Sequence, residues 1–201
     1  MSIRYILIAL VVGTCIGLFN GYRTYMHQKK IKSKYTEGAI KSERNFGKTL
    51  VVYYSMEGST KLIADIIGKK TGADLYEIKT PKKYGFVSAL LSKFGRNRRI
   101  RLDLNNLPDL GSYDIIFIGS PVWAYSISTP MLSFLGQVNF REKKVAPYAT
   151  HRGSVGKFYD VFIENAENAK ILKGADFYKV KEVGMYSLEN MVSDWLNSLE
   201  N

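Results

Sequence analysis

The sequence predicts an α/β protein built on a doubly wound, five-stranded parallel sheet. From Lys48 onward, short apolar runs typical of strands alternate with amphipathic segments of helical period. The inner runs are apolar throughout, as expected for strands that are covered on both faces. Hydrophobic residues make up 46% of the 201 residues and aromatic residues 13%, which is enough for a well-formed core.

Five strands are predicted, and the elements follow one another in a regular order. The strands cover residues 49–54, 74–79, 113–119, 144–150 and 177–180. A helix after the first strand has its apolar face formed by Leu62, Ile63, Ile66 and Ile67. A last helix begins near Ser187 and presents Leu188, Met191, Val192, Trp195, Leu196 and Leu199.

The segment before the sheet predicts a membrane anchor over residues 1–22. Residues 5–22 hold no charged side chain, and as a helix they measure about 27 Å, close to the hydrocarbon thickness of a bilayer. A cleaved signal peptide is disfavoured because no small-residue cleavage site follows, and the residue before Cys15 fits a lipoprotein site poorly. Basic residues concentrate after the segment, which predicts a single-pass cell-membrane protein with a basic linker at 23–47 and a cytoplasmic domain at 48–201.

Small residues recur at every fourth position of this segment, at Ala9, Gly13, Gly17 and Gly21. Such spacing is compatible with a helix–helix seam in a homodimer. Glycine is also frequent in membrane helices in general, and this second interpretation is favoured.

The charge and the scarcity of metal-binding side chains narrow the function classes. The formal net charge is +11, and over half of the excess lies in the first quarter of the chain. Cys15 is the single cysteine, which excludes an internal disulfide, and the two histidines are too few for a transition-metal centre. No metal site is therefore predicted.

A loop suited to binding an anion follows the first strand directly and leads into a helix. It consists of Ser55, Met56, Glu57, Gly58, Ser59 and Thr60. In a doubly wound sheet the ligand lies at the carboxyl ends of the strands, where a helix N-terminus and hydroxyl groups favour an anion. The nucleotide-triphosphate and dinucleotide glycine motifs are absent, so the loop suits a monophosphate; an ordinary strand-to-helix turn is the alternative interpretation.

Three loops together resemble those of the flavodoxin family. The run 51–67 resembles the family's N-terminal signature, with matches at Tyr53, Ser55, Gly58, Thr60 and Ala64. The run 119–125, with Pro130 beyond it, is similar to the loop that wraps the flavin ring, and the run 150–156 to the loop after the fourth strand. The resemblance covers about residues 48–200. It implies the strand order 2-1-3-4-5 and a bound flavin mononucleotide (FMN).

By this resemblance the cofactor contacts fall in three groups. The phosphate loop would contribute Ser55, Met56, Glu57, Gly58, Ser59 and Thr60, with the hydroxyls of Ser55, Ser59 and Thr60 on the phosphate. The ring loops would contribute Ser120, Pro121, Val122, Trp123, Ala124, Tyr125, Thr150, His151, Arg152, Gly153 and Ser154. Trp123 would stack on the ring, or its neighbour Tyr125 would. The chain departs from the family at Glu57, where a hydroxyl is frequent, and at Ala124, where glycine is common.

The resemblance implies an FMN-dependent electron carrier at the cytoplasmic membrane face, whose partner is a redox protein or a quinone. One alternative is an FMN oxidoreductase acting on a quinone or a porphyrinogen, as in menaquinone-dependent protoporphyrinogen oxidase. Another is a flavin-free scaffold with the same fold. No general acid, nucleophile or metal cluster stands out, so no catalytic residue is predicted.

A second basic stretch covers residues 79–101, which carry eight basic side chains and no acidic one. Apolar residues at helical spacing within it indicate either a helix on an anionic bilayer or one that covers the sheet; they are Phe86, Val87, Leu90, Leu91 and Phe94. Nucleic acid is disfavoured as a partner, because a tether and a flavin site account for the charge.

Overall fold

A computed structural model describes residues 3–35, 45–81 and 99–199. The helices are α1 (Ile3–Tyr35), α2 (Ser59–Thr71), α3 (Thr129–Leu135), α4 (Phe158–Asn165) and α5 (Met185–Ser198). The strands are β1 (Thr49–Tyr53), β2 (Asp74–Glu77), β3 (Ile115–Trp123), β4 (Ser126–Ile127), β5 (Lys144–His151), β6 (Lys170–Ile171) and β7 (Ala175–Tyr178). Short 3₁₀ turns occupy Leu110–Ser112 and Val180–Glu182.

The sheet is parallel in the order β2-β1-β3-β5-β6, and β7 also pairs with β5. This order confirms the predicted parallel, doubly wound sheet. The prediction of five strands was too simple, because β6 and β7 share the fifth position and β4 forms an antiparallel hairpin with β3. The predicted third strand ended at Gly119, whereas β3 continues to Trp123 because this hairpin extends it.

The fifth strand position is interrupted by a one-residue bulge. Val145 pairs with Ile171 but Tyr148 pairs with Ala175, so three residues stand opposite the two residues Ala146 and Pro147. Pro147 has no N–H to donate, which makes this the natural place for the ladder to break. The run predicted at 177–180 accordingly becomes β7, which begins earlier, followed by a turn from Val180.

Two hydrophobic cores lie on opposite faces of the sheet, since successive residues of a strand point to opposite sides. Leu50 and Val52 of β1 pack with α3 and α4, whereas Val51 and Tyr53 pack with α2 and α5. Most of the large side chains in both cores are buried completely or nearly so. This arrangement leaves the carboxyl ends of β1, β3, β5 and β7 together at one edge.

The N-terminal helix α1 continues to Tyr35, so residues 23–35 are helical although a linker is predicted at 23–47. Its later residues are mostly good helix formers, and several of them contact the folded domain. In the part of the chain that the structure covers, no helix is long and apolar enough to cross a membrane, so the anchor predicted at 1–22 is not confirmed. The basic helix predicted within 79–101 falls largely on residues outside the described ranges.

Candidate cofactor site

A cavity of about 300 Å³ lies at the carboxyl ends of the strands, where a doubly wound sheet places its ligand. Residues from all three predicted loops line it: Ser55, Met56, Glu57, Ser59 and Thr60 from the first, Pro121, Val122, Trp123 and Ala124 from the second, and Thr150, His151 and Arg152 from the third. Loops far apart in sequence therefore meet at one site.

The first loop presents an open helix N-terminus to the cavity. Gly58 precedes α2 with φ 88°, a left-handed conformation that glycine adopts freely, and no side chain among the described residues caps the helix. The Ser55 hydroxyl accepts a hydrogen bond from Gly58 N at 3.1 Å, which shapes the turn. The first helical turn carries no acidic residue. These free N–H groups, with Ser59 and Thr60 on the cavity wall, suit an anion.

A buried hydroxyl pair joins the first loop to the third. Thr60 Oγ1 and Thr150 Oγ1 lie 2.8 Å apart, and both side chains are buried. The Tyr148 hydroxyl donates to Thr60 O at 3.3 Å, and complete burial raises the pKa of Tyr148, which keeps it a neutral donor. A side chain at Gly119 would overlap the Tyr148 ring, so glycine is required there.

Trp123 borders the cavity from within the core. It is only 4% exposed and meets the Tyr54 ring edge-on at 5.7 Å between centroids, so its placement is fixed by packing. Tyr125, the alternative stacking residue, is 66% exposed and does not line the cavity. Of the two candidates for stacking on the ring, Trp123 therefore lines the cavity and Tyr125 does not.

The turn that joins β3 to β4 consists of Ala124 and Tyr125. Their φ angles of 46° and 62° are both left-handed, as a two-residue hairpin of the primed type requires. Ser120, predicted to contact the cofactor, does not line the cavity; it is fully buried, and its hydroxyl meets that of Ser128 at 2.8 Å. This hydroxyl contact joins β3 to the start of α3.

The third loop makes two contacts with acidic side chains. Nε2 of the buried His151 side chain lies 3.0 Å from Asp176 Oδ2, and this hydrogen bond lowers the pKa of Asp176. Arg152 Nη2 donates to Glu57 Oε2 at 3.1 Å, which joins the third loop to the first. The unexpected acid of the phosphate loop therefore has a basic partner on the cavity rim.

Three other predicted residues lie near the cavity without lining it. Gly58 shapes the turn before α2, as described. Gly153 O accepts a hydrogen bond from Arg23, and Ser154 Oγ accepts one from Gly156 N.

A fourth wall, which the sequence reasoning missed, follows β7. It consists of Lys179, Val180, Lys181 and Glu182. Lys179 N donates to His151 O at 2.7 Å, which places this turn beside the third loop. The signal was available, because the predicted fifth strand also ends at the ligand edge of a parallel sheet.

The chemistry of the cavity fits a flavin with a terminal phosphate. The open start of α2 offers N–H and hydroxyl donors at one end, and Trp123 with Val122 and Pro121 offers an apolar wall elsewhere. Across the ranges that the structure covers, no group of His, Cys, Asp and Glu side chains could hold a metal ion.

Comparisons with known proteins agree with this geometry. A family model described as "Flavodoxin" matches residues 48–198. A flavoprotein from Lactobacillus acidophilus, solved in complex with FMN, is 30% identical over 64% of this chain and 92% of its own, with a TM-score of 0.55. A Bacteroides uniformis protein assigned as a flavoprotein is 25% identical over 77% of this chain and 100% of its own, with a TM-score of 0.62.

A more distant structure shares the fold. The general stress protein 14 of Treponema denticola, also solved with FMN, is 16% identical over 77% of this chain and 100% of its own, with a TM-score of 0.52. No curated protein matches the chain. Because the family model covers most of the sequence and the three loops meet at one cavity, the chain belongs to the flavodoxin family.

Proposed function

We propose that this chain binds FMN in the cavity and acts as an electron carrier held at the cytoplasmic face of a membrane. The observation that carries the proposal is the uncapped start of α2, whose Ser59 and Thr60 line a cavity with an apolar wall at Trp123. A helix N-terminus with free N–H groups favours a phosphate. The L. acidophilus relative, which is 30% identical, was solved in complex with FMN.

Each wall of the cavity has a part in holding the cofactor. The hydroxyls of Ser55, Ser59 and Thr60, with the N–H groups at the start of α2, hold the phosphate. Residues 121–124 and 150–152 border the isoalloxazine ring. Bound FMN supplies one- and two-electron transfer. The protein contributes binding, a buried apolar surface at Trp123 and the charges around the ring.

A carrier function is favoured over catalysis on a substrate because ionisable side chains that line the cavity pair with other side chains of the protein. Glu57 pairs with Arg152, Glu182 with Lys179, and His151 with Asp176. The first contact joins two loops, the second lies within the turn after β7, and the third joins the end of β5 to β7. The ionisable side chains therefore stabilise the site, whereas a general acid would have to face a substrate.

The charge of the site favours a less negative potential than acidic flavodoxins have. Arg152, Lys179 and Lys181 line the cavity together with Glu57 and Glu182, which leaves one positive charge in excess, and reduced flavin carries negative charge near its N1 position. Cations nearby stabilise that form. We expect the couple between semiquinone and hydroquinone to lie above that of an acidic flavodoxin, as measured by redox titration.

The membrane part of the proposal rests on the first half of α1. Tyr5, Ile8, Leu10, Ile16 and Phe19 are all more than half exposed, which is unusual for large apolar side chains in water. Basic residues follow on the same helix, as in segments that lie on the cytoplasmic, anionic face.

Fractionation of the full chain tests the tether. The chain should sediment with membranes and be released by detergent but not by salt, because apolar contact holds it. A variant with Leu10→Lys and Ile16→Lys should become soluble, whereas Ile163→Lys, at an equally exposed position of α4, should not. A soluble unmodified chain would contradict the tether and leave FMN binding unaffected.

Two measurements test the flavin function. Purified protein should bind FMN in a one-to-one ratio, seen as quenching of FMN fluorescence, and the reduced protein should exchange single electrons with an acceptor. Sustained turnover with a quinone would favour the oxidoreductase alternative. A chain that binds no FMN would leave only the scaffold.

A further inference from the structure

The second half of α1 packs against the cofactor site. Arg23 Nη2 donates to Gly153 O at 3.1 Å, and its guanidinium carbon lies 5.7 Å from the centre of the Tyr178 ring. His27 meets the same ring edge-on at 4.8 Å between centroids. Tyr178 is buried at the end of β7, so α1 is seated on the side of the site that the predicted flavin loops do not cover.

Thr24 extends this contact to the cavity wall itself. Its hydroxyl accepts a hydrogen bond from Lys179 Nζ at 2.8 Å and donates within the helix to Asn20 O at 2.8 Å. Lys179 Nζ also lies 3.3 Å from Glu182 Oε2. Both Lys179 and Glu182 line the cavity, so α1 holds a side chain of the wall directly.

Lys179 is a position that needs such support. Its φ of 48° is left-handed, a conformation that costs a non-glycine residue free energy and persists where surrounding contacts hold it. Its N–H bonds His151 O and its ammonium bonds Thr24 and Glu182. Without α1 one of these contacts is lost.

α1 contacts the loop that follows β5 and the turn that follows β7. Gly153 directly follows His151 and Arg152, which line the cavity, and Lys179 lies in the wall after β7. Arg23 holds the first loop and Thr24 the second, one residue apart on the same helix. Any ligand that orders these loops therefore also favours the docked position of α1.

We propose that Arg23 and Thr24 are positioning residues of the cofactor site, which couple the docking of α1 to the binding of FMN. The coupling is reciprocal: docked α1 raises FMN affinity, and bound FMN strengthens the docking of α1. A change in the position of α1 therefore changes FMN affinity. This inference rests on the proposed FMN binding but not on the tether.

FMN affinity of the full chain tests the coupling from one side. Arg23→Gln and Thr24→Val should each weaken FMN binding by about five-fold or more, the usual lower range of such coupling. Matched controls lie on the same helix. Lys29→Gln removes the same charge from an exposed site. Thr14→Val removes a hydroxyl that, among the described residues, bonds Leu10 O and Val11 O of its own helix. Both controls should bind FMN as the unmodified chain does.

Amide hydrogen exchange tests the coupling from the other side, without any variant. Addition of FMN should slow exchange at residues 23–30 and leave residues 8–16 of the same helix unchanged. If the docking of α1 were independent of FMN, exchange at residues 23–30 would be equally slow with and without FMN. Arg23→Lys, which keeps a donor for Gly153 O, should retain more affinity than Arg23→Gln.

Equal FMN affinity in the Arg23 and Thr24 variants and in their controls, with exchange at 23–30 unaffected by FMN, would overturn the inference. If a variant fails to fold, as judged by circular dichroism, the exchange experiment on the unmodified chain decides alone. Failure of the unmodified chain to bind FMN would contradict the proposed function, and this inference with it.

Discussion

Replacing the buried hydroxyl pair at the site separates the effect on folding from the effect on the cofactor. Thr60 and Thr150 are 1% and 4% exposed, and their hydroxyl oxygens lie 2.8 Å apart. Valine has nearly the same shape as threonine, so Thr60→Val and Thr150→Val each remove one hydroxyl without opening a large cavity. Each change leaves the other hydroxyl buried without that partner, which costs about 1–3 kcal/mol.

The double variant should behave differently from the sum of the two single variants. With both hydroxyls replaced, no polar atom of the pair is left unsatisfied, and such replacement is nearly neutral for stability. With each single change costing about 1–3 kcal/mol and the double change nearly neutral, we expect a coupling free energy on the order of 2–6 kcal/mol in the double-mutant cycle, measured by urea denaturation of the FMN-free chain. Additive destabilisation would refute the pairing.

FMN binding should not recover in the double variant. If Thr60 donates to the phosphate, its loss removes a hydrogen bond to a charged group, worth about 1.5–3 kcal/mol, or about ten-fold to a hundred-fold in affinity. Thr60→Val and the double variant should both show this loss by fluorescence titration, and Thr150→Val a smaller one. An FMN affinity restored together with stability would show that Thr60 serves folding alone.

Three further predictions concern strain, protonation and potential. Ala124→Gly should stabilise the chain by about 0.5–1 kcal/mol in urea denaturation, because φ of 46° penalises alanine; a loss of stability would contradict this. Burial lowers the pKa of His27 below its ordinary value of 6.5, so the unfolded chain binds a proton more readily and the free energy of unfolding falls as the pH drops through that value. In denaturation at several pH values, His27→Gln should show a smaller loss of stability. An equal loss in the variant would show that His27 is not the group responsible. Lys181→Met should make the hydroquinone couple more negative in a redox titration, since it removes a cation from the cavity wall, and an unchanged potential would show that Lys181 lies too far from the ring to matter.

Much of the site could be predicted from the sequence because parallel strands end at one edge. The apolar runs before Ser55, Ser120 and Thr150 each marked a strand, and the residues after them had to meet. The same rule covers Lys179, but residues 177–180 predict only a fifth strand and no further wall of the site. The predicted strand boundaries were wrong where a strand is short or interrupted, as at the bulge opposite Pro147.

Contacts between distant residues could not be predicted, because they depend on register and on docking. The hydroxyl pair joins residues ninety positions apart, and Arg23 meets Gly153 across the domain. No local pattern in residues 23–35 distinguishes a helix packed on a domain from a basic linker, since lysine suits both. The resemblance likewise left both Trp123 and Tyr125 as candidates for stacking on the ring, and only the structure shows that Trp123 is buried and Tyr125 exposed.

Binding of FMN by the purified full chain tests the proposed function most directly. We expect a yellow protein with the absorbance of oxidised flavin, or a colourless one that takes up one FMN per chain on titration and quenches its fluorescence. A folded chain that remains colourless and leaves the fluorescence of added FMN unchanged would contradict it.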